Sequence, residues 1–300
     1  MKKQYIFAAT SILCWSTVST VTKLLLNNNI NNIQLLWISS CFAFLFLFFL
    51  NLFSGKLKLL RTYKLKDFLV SAAIGLPGTF FYNIFYYFGA SKMPASQAFI
   101  INYLWPIMSL IFAAIILKEK LTFRNILAIF ISFLGIVVII LGNAGEQKST
   151  FLIGAISCFL AAVSYGCFTA LNKKFTYDKT LSMMTNYLVT FVLTTIINAI
   201  SNKLFFPSML QGIGMAWNGI FAMAVADTLW ILALAGGATG KISNLAYITP
   251  FLSLVWASLF LNEKLKFNSI LGLLVIVLGI VIQLKSDKKD VPIAQHNDNQ

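Results

Sequence analysis

Two stretches of this 300-residue chain repeat one another. Residues 101–123 read INYLWPIMSLIFAAIILKEKLTF, and residues 245–267 read LAYITPFLSLVWASLFLNEKLKF, 144 positions later. The ungapped match extends to about residue 141, with about 16 identities over 41 positions, and it includes proline, Glu-Lys and glycine. Chance similarity between apolar segments produces matched leucines but not this combination. The repeat therefore predicts two halves of related structure.

The composition assigns the chain to the membrane. Hydrophobic residues make up 59% of it and charged residues 11%, whereas soluble domains carry about 25% charged residues. Apolar runs near 20 residues recur throughout, and a helix of that length crosses about 30 Å of hydrocarbon. We therefore predict an all-α integral membrane protein that has the lipid bilayer as a partner.

The apolar runs predict ten transmembrane helices as two five-helix repeats. The first repeat, residues 1–145, holds spans at residues 5–26, 33–53, 68–88, 95–117 and 125–141. The second, residues 146–285, holds spans at residues 151–171, 181–200, 212–234, 242–261 and 269–284. Five spans is an odd number, so the second repeat is expected to be inverted, as in many secondary transporters. Residues 286–300 are predicted to form a disordered cytoplasmic tail.

The basic residues predict the orientation. The net charge is +14, but the lysines lie in short connections between apolar runs, which argues against nucleic acid as a partner. With the N-terminus inside, the inner segments hold 17 Lys and Arg and the outer segments hold 6. By the positive-inside rule, both termini are expected in the cytoplasm, with the chain spanning the cytoplasmic membrane several times.

Enzymatic and metal chemistry find no support in the sequence. The four cysteines lie inside apolar runs without a CxxC pair, and the only histidine is His296 in the polar tail. No nucleophile triad, phosphate-binding loop or metal-ligand cluster is present. We therefore expect no enzyme, no metal and no cofactor.

A transporter needs polar or aromatic side chains facing an interior cavity, and several spans supply them. Tyr82 and Tyr86 share one helical face with Asn83 between them, although tyrosines near span ends can instead anchor a helix at the membrane interface. The candidate substrate-binding residues are Trp15, Tyr82, Asn83, Tyr86, Asn102, Tyr103, Trp105, Tyr165, Asp227, Trp230, Asn244 and Tyr247.

Pro106 and Pro250 occupy equivalent positions in the two repeats. A proline removes a helical hydrogen bond and clashes with the preceding turn. The pair is predicted to act as hinges beside a central cavity; the alternative is a static packing kink.

Asp227 is a carboxylate deep inside a predicted span, and its counterpart 144 positions earlier is Asn83. An ionised Asp at a helix centre costs about 2.5–3.5 kcal/mol on insertion scales, so it should face a partner or water, or be protonated. Three alternatives remain open. Asp227 binds a substrate amino group, with cation–π support from Trp230; it carries a proton that drives exchange; or it makes a structural hydrogen bond.

Taken together, these residues resemble the drug/metabolite transporter superfamily and, within it, the EamA family, over residues 5–284. The stretches WST at 15–17 and NYLWP at 102–106 are similar to motifs of the aromatic amino acid exporter branch. The resemblance implies a metabolite exporter whose cavity is lined by helices 1, 3, 4, 6, 8 and 9. This chain departs from the branch at Asp227, where the branch tends to have an uncharged residue.

The sequence thus predicts a secondary transporter that exports aromatic or neutral amino acids, or similar small amphipathic metabolites, by alternating access. Protons are a candidate coupling ion. The alternative is an organic-cation or drug transporter that uses Asp227 as counter-ion or proton carrier. A membrane scaffold is disfavoured by the repeat, and a lipid-modifying enzyme by the lack of catalytic groups.

Overall fold

A computed structural model describes residues 2–142, 148–175, 177–234 and 245–287. These residues form ten long helices and a short 3₁₀ helix, Lys56–Thr62. The first five helices are α1 (Lys2–Asn27), α2 (Asn32–Phe53), α3 (Leu65–Lys92), α4 (Ala95–Ile116) and α5 (Phe123–Leu141). The others are α6 (Lys148–Lys174), α7 (Lys179–Ile200), α8 (residues 209–234), α9 (Ile248–Leu261) and α10 (Phe267–Asp287).

Eight of these helices, α1 to α8, are long and apolar enough to cross a membrane, and α9 and α10 are shorter apolar helices. Side chains exposed on the outside of the bundle are largely Leu, Ile and Phe, such as Phe130 on α5 and Leu259 on α9. Such a surface suits hydrocarbon rather than water. The predicted all-α membrane fold is confirmed.

Polar capping residues set where several helices begin. Asn31 and Gln34 form a reciprocal capping box at the start of α2, and Ser208 and Gln211 form another at α8. Capping satisfies backbone N–H groups that have no partner within the helix. The helices therefore extend beyond the apolar runs, and α3, α6 and α8 each begin three residues before the predicted span.

The two repeats are inverted, as the crossing of α5 and α10 shows. A methyl group added at Gly135 would lie 2.7 Å from the carbonyl oxygen of Gly272, and one added at Gly279 would lie 2.7 Å from that of Ala128. Contacts advance along α5 while they retreat along α10, so the helices are antiparallel. Residues 128 and 272, and 135 and 279, are equivalent at the shift of 144. A two-fold rotation that exchanges the two repeats therefore maps this helix crossing onto itself.

A second pair of contacts repeats in the same way. The hydroxyl groups of Ser19 on α1 and Ser253 on α9 lie 2.7 Å apart. Those of Thr169 on α6 and Ser109 on α4 also lie 2.7 Å apart. The first helices of the two repeats align at a shift of 150, which pairs Trp15 with Tyr165, Ser19 with Thr169 and Lys23 with Lys173. Ser109 and Ser253 are equivalent at the shift of 144, so α1 packs on α9 as α6 packs on α4.

Helices α3 and α8 each contain a π-helical segment, Leu76–Phe81 and Trp217–Val225. The Tyr82 N–H donates to the Pro77 carbonyl five residues back, and the Ala226 N–H donates likewise to the Phe221 carbonyl. The two bonds are equivalent at the shift of 144. Such wide turns are rare and often occur at functional sites. Each segment ends two residues before a predicted site residue, Asn83 or Asp227.

The two predicted hinge prolines lie in first turns of helical segments. Helix α4 consists of Ala95–Asn102 and Trp105–Ile116, and Pro106 is the second residue of the latter. Pro250 is the third residue of α9. Proline is tolerated in a first turn because its missing N–H has no partner to lose there. A hinge role for both remains a prediction.

Candidate functional site

A cavity lies between the two repeats. About 740 Å³ of space between atoms lies within its bounds, part of it open to solvent. Seven helices supply its wall, which consists of Trp15, Val18, Gly78, Tyr82, Asn83, Phe99, Asn102, Tyr103, Trp105, Tyr165, Tyr187, Asn218, Ala222, Met223, Asp227 and Thr249. The wall is therefore aromatic, with a few amide groups and one carboxyl group.

Most of the residues selected from the sequence meet at this cavity. Eight of the twelve candidates line it, namely Trp15, Tyr82, Asn83, Asn102, Tyr103, Trp105, Tyr165 and Asp227. They come from α1, α3, α4, α6 and α8, which are separate in sequence and meet only in the folded bundle. Asn244 lies outside the described residues.

The other three candidates lie behind the cavity wall. Tyr86 is fully buried, and its ring stacks on that of Tyr82 at a centroid distance of 6.1 Å. Trp230 packs on Trp15, with ring centroids 5.3 Å apart. Tyr247 packs against the main hydrophobic core. These side chains support residues of the wall rather than forming it.

The aromatic part of the wall is a connected cluster. The ring of Tyr165 lies 4.9 Å from that of Tyr82 and 5.2 Å from that of Trp105. Tyr103 donates its hydroxyl hydrogen to the carbonyl of Ala246, which ties α4 to the chain just before α9. Tilted and edge-to-face pairs of this kind are favourable. The cluster forms a flat-sided apolar surface that suits an aromatic or branched apolar side chain.

Asp227 is held in the wall by neutral donors. The Trp15 indole N–H donates to the carboxyl group at 3.2 Å, and the Tyr187 hydroxyl also hydrogen-bonds to it. Among the described lining residues, Asp227 is the only charged side chain. The described residues contain no group of His, Cys, Asp and Glu that could hold a metal ion. The site therefore offers a carboxyl group that has no cationic partner among the described lining residues.

Three asparagines place amide groups around the same space. Asn83 donates to the Thr79 carbonyl at 2.7 Å, and Asn218 donates to the Tyr87 hydroxyl at 2.7 Å. Asn102 donates to Tyr82 at 3.1 Å, whereas its carbonyl oxygen is buried without a partner. A buried acceptor without a donor carries a desolvation cost that a ligand can relieve.

Sequence reasoning missed several lining residues, above all Tyr187. It lies on α7, a helix that was not expected to face the cavity. The available signal was the polar row Ser182, Asn186 and Thr190, spaced one turn apart in an apolar helix and buried in the structure. A buried polar row marks a face turned toward other helices, and Tyr187 follows Asn186 directly.

At the end of the bundle near Lys23, charged groups bind the backbone of a neighbouring turn. The Lys23 ammonium donates to the carbonyls of Ala90 and Met93, at 2.7 and 2.9 Å. The Glu263 carboxylate accepts from the backbone N–H groups of Ala95 and Ser96, at 2.6 and 3.1 Å. Together these bonds tie α1 and the α9–α10 connection to the turn between α3 and α4.

The equivalent charges at the opposite end are arranged differently. Lys173, the counterpart of Lys23, pairs directly with Glu119, the counterpart of Glu263, at 2.6 Å. Both side chains are largely exposed. The equivalent Lys and Glu residues therefore pair with each other at one end of the bundle and bind the α3–α4 turn at the other.

The comparisons with known proteins agree with this architecture. The sequence matches the EamA-like transporter family twice, over residues 2–141 and 152–284. The chain belongs to the EamA-like transporter family. The double match also reflects the internal duplication, because each half is matched separately. Membership in the EamA family, and in the wider drug/metabolite transporter superfamily, confirms the resemblance derived from the sequence.

Relatives in the EamA family are transporters. An uncharacterized transporter of Archaeoglobus fulgidus is 25% identical over 243 residues, which cover 78% of this chain and 84% of that protein. The aromatic amino acid exporter YddG of Ancylobacter novellus is 24% identical over 187 residues, covering 60% of this chain and 63% of that protein. A solved crystal structure superposes with a TM-score of 0.69 at 18% identity, covering 97% and 100% of the two chains. That likeness concerns the fold alone.

Proposed function

We propose that this EamA-family transporter exports aromatic or neutral amino acids, or similar small amphipathic metabolites, through the cavity between its two repeats. The observation that carries the proposal is the aromatic wall of that cavity, with Tyr165 between Tyr82 and Trp105. A ring or a branched apolar side chain fits against such a surface, and the polar groups beside it can bind the head of the same molecule.

Alternating access supplies the mechanism in this proposal. Inverted repeats can exchange conformations, so that the cavity opens first to one side of the membrane and then to the other. The different arrangements of the Lys-Glu pairs at the two ends support such an exchange. The similarity to an aromatic amino acid exporter supports the substrate class.

We further propose that the chain lies in the cytoplasmic membrane with both termini in the cytoplasm, on the basis of its lysine distribution. The Lys23 end of the bundle then faces outward, and the Lys173 end faces the cytoplasm.

Counterflow in proteoliposomes tests the proposal. Vesicles loaded with unlabelled Trp, Phe, Met or Thr should accumulate the corresponding labelled amino acid when the full chain is present. Val18→Trp fills the cavity from α1 and should reduce this accumulation at least tenfold. Leu13→Trp is the matched control, because Leu13 lies on the same helix but points outward, with 52% of it exposed; it should stay within about twofold of wild type.

Two results would contradict the proposal. One is the absence of counterflow for every amino acid tested, with protein that is monodisperse and reconstituted. The other is undiminished transport by a folded Val18→Trp variant, which would place the route outside this cavity.

A further inference from the structure

The charge of the cavity wall restricts the head group that it can accept. Asp227 contributes a carboxylate, and the described lining residues include no Lys, Arg or His. Its hydrogen bonds come from an indole and a phenol, which are neutral, so none of these donors compensates the negative charge that Asp227 carries when it is ionised. A buried charge is expensive unless it is paired. A cationic ligand would supply the missing partner.

Two further features of the wall favour a cation. The buried side-chain carbonyl oxygen of Asn102 accepts no hydrogen bond, and an ammonium group would bring N–H donors. The rings of Trp15, Tyr82 and Tyr165 surround the same space, and aromatic faces attract cations, most strongly where water is excluded. The carboxyl group of Asp227, the side-chain carbonyl of Asn102 and the aromatic ring faces thus all favour a positively charged ligand.

A free amino acid fits this charge less well than an amine. Its ammonium group would neutralise Asp227, but its carboxylate would then be buried as a second, unpaired negative charge. The amide N–H groups of Asn83, Asn102 and Asn218 each already donate to a protein acceptor. Each retains one further N–H, which is neutral and weaker than a cationic donor.

We propose that the cavity prefers small aromatic or apolar monoamines, bound as ammonium ions paired with Asp227, over the corresponding free amino acids. This rests on the transport function proposed above and names the preferred members of its substrate class. Amino acids whose carboxylate is masked as an amide or ester belong to the preferred group, because their net charge is the same as that of a simple amine.

The internal symmetry provides a matched control. Asn83 is the counterpart of Asp227 at the shift of 144, and both side chains line the cavity. The double variant Asn83→Asp/Asp227→Asn moves the carboxylate to the other repeat without changing the composition of the wall. It separates the effect of net charge from damage caused by replacing Asp227.

The test is calorimetric binding of tryptamine, tryptophanamide and tryptophan to the full chain in detergent. These ligands share the indole ring and differ in the carboxylate. Wild type should bind tryptamine and tryptophanamide at least tenfold more tightly than tryptophan. Asp227→Asn should lose at least tenfold in affinity for both amines and bind all three ligands about equally. The double variant should regain most of the preference.

Three results would overturn the proposal. They are equal or tighter binding of tryptophan by wild type, an amine preference that survives in Asp227→Asn, and a folded double variant without recovered preference. Folding is checked by size exclusion and thermal unfolding.

Counterflow distinguishes failure of the amine preference from failure of the transport function. Transport of tryptophan and tryptophanamide at equal efficiency contradicts only the preference. Absence of transport for every compound defeats the transport function as well.

Discussion

At the scale of single residues, two equivalent glycines let neighbouring helices approach the π-helical segments. A methyl group at Gly75 would lie 2.1 Å from the Asn186 side chain on α7. One at Gly219 would lie 2.2 Å from the Ser39 carbonyl oxygen on α2. Both distances are far below van der Waals contact. The atom close to Gly219 belongs to the main chain of Ser39, and it cannot rotate away as a side chain can.

Gly219→Ala should therefore destabilise the protein by about 1–3 kcal/mol, the usual range for overpacking a core. The measurement is the thermal unfolding midpoint in detergent. Gly212→Ala is the control: it lies on the same helix, where a methyl group would meet nothing closer than 4.0 Å. Alanine is the better helix former, so the control should match or exceed wild type. A Gly219→Ala variant as stable as the control would contradict the packing described here.

The sequence indicated which residues lie around the cavity. It did not indicate which of them line the cavity and which pack behind the lining. Spacing along α3 places Tyr82 and Tyr86 on one face, and periodicity cannot tell which ring reaches the cavity and which packs behind it. Trp230 was predicted to line the cavity, but its ring lies behind that of Trp15, and periodicity cannot show this difference either. Depth from a cavity depends on neighbouring helices, whose positions a single sequence does not contain.

At the scale of elements, α2 and α7 are joined at one end by a polar contact. The Lys56 ammonium, on the connection after α2, lies 2.9 Å from the Asp178 carboxylate. Asp178 also caps α7 by accepting from the N–H groups of Thr180 and Leu181. Burial raises the pKa of Asp178, but hydrogen bonds from Lys56, Leu181 and Thr180 lower it by more, so the pKa lies below its usual value.

This pKa gives the contact a pH dependence. A carboxyl group with a lowered folded-state pKa stabilises the protein above its unfolded value, about 3.9 for Asp, and the stabilisation is lost as pH falls through the folded pKa. Acidification from pH 7 to about pH 3 should therefore lower the unfolding midpoint of wild type more than that of Asp178→Asn. The asparagine still caps the helix but does not titrate. Equal acid shifts in the two proteins would exclude this contribution.

Hydropathy identified the described helices, but it could not identify their local form. The π-helical segments in α3 and α8 contain ordinary apolar residues, and one extra residue in a turn leaves mean hydropathy unchanged. Helix starts were misplaced by three residues at α3, α6 and α8. The first turns of α3 and α6 contain polar residues that lie outside an apolar run, whereas α8 begins with Met209 and Leu210 directly after its capping serine. The inverted repeat was predictable because proline, glycine and Glu-Lys matches survive in the sequence.

At the scale of the whole molecule, the Lys-Glu pairs distinguish the two ends of the bundle. In this structure Lys23 and Glu263 bind the α3–α4 turn, whereas Lys173 and Glu119 bind each other. Exchange between two states of an inverted repeat would reverse these roles. A single sequence could not predict these arrangements, because they depend on how the helices of the assembled bundle meet.

Lys23→Met should shift the equilibrium toward opening at the Lys23 end. It removes two hydrogen bonds from a charged donor, each worth about 1.5–3 kcal/mol, so the shift should be at least tenfold. The measurement is the labelling rate of a cysteine at Val18, in a variant without the native cysteines, by an impermeant thiol reagent applied to each membrane face. Labelling from the Lys23 side should rise in Lys23→Met and not in the counterpart Lys173→Met. Identical labelling in both variants would contradict the exchange.

The matched wide turns also bear on the origin of the chain. A five-residue hydrogen-bonded turn accommodates one extra residue, and here it closes at Tyr82 in one repeat and at Ala226 in the other, 144 positions apart. Two independent insertions at the same place are less parsimonious than one. A single insertion before the gene duplication accounts for both turns, and on that history the half-length ancestor already had the distorted third helix.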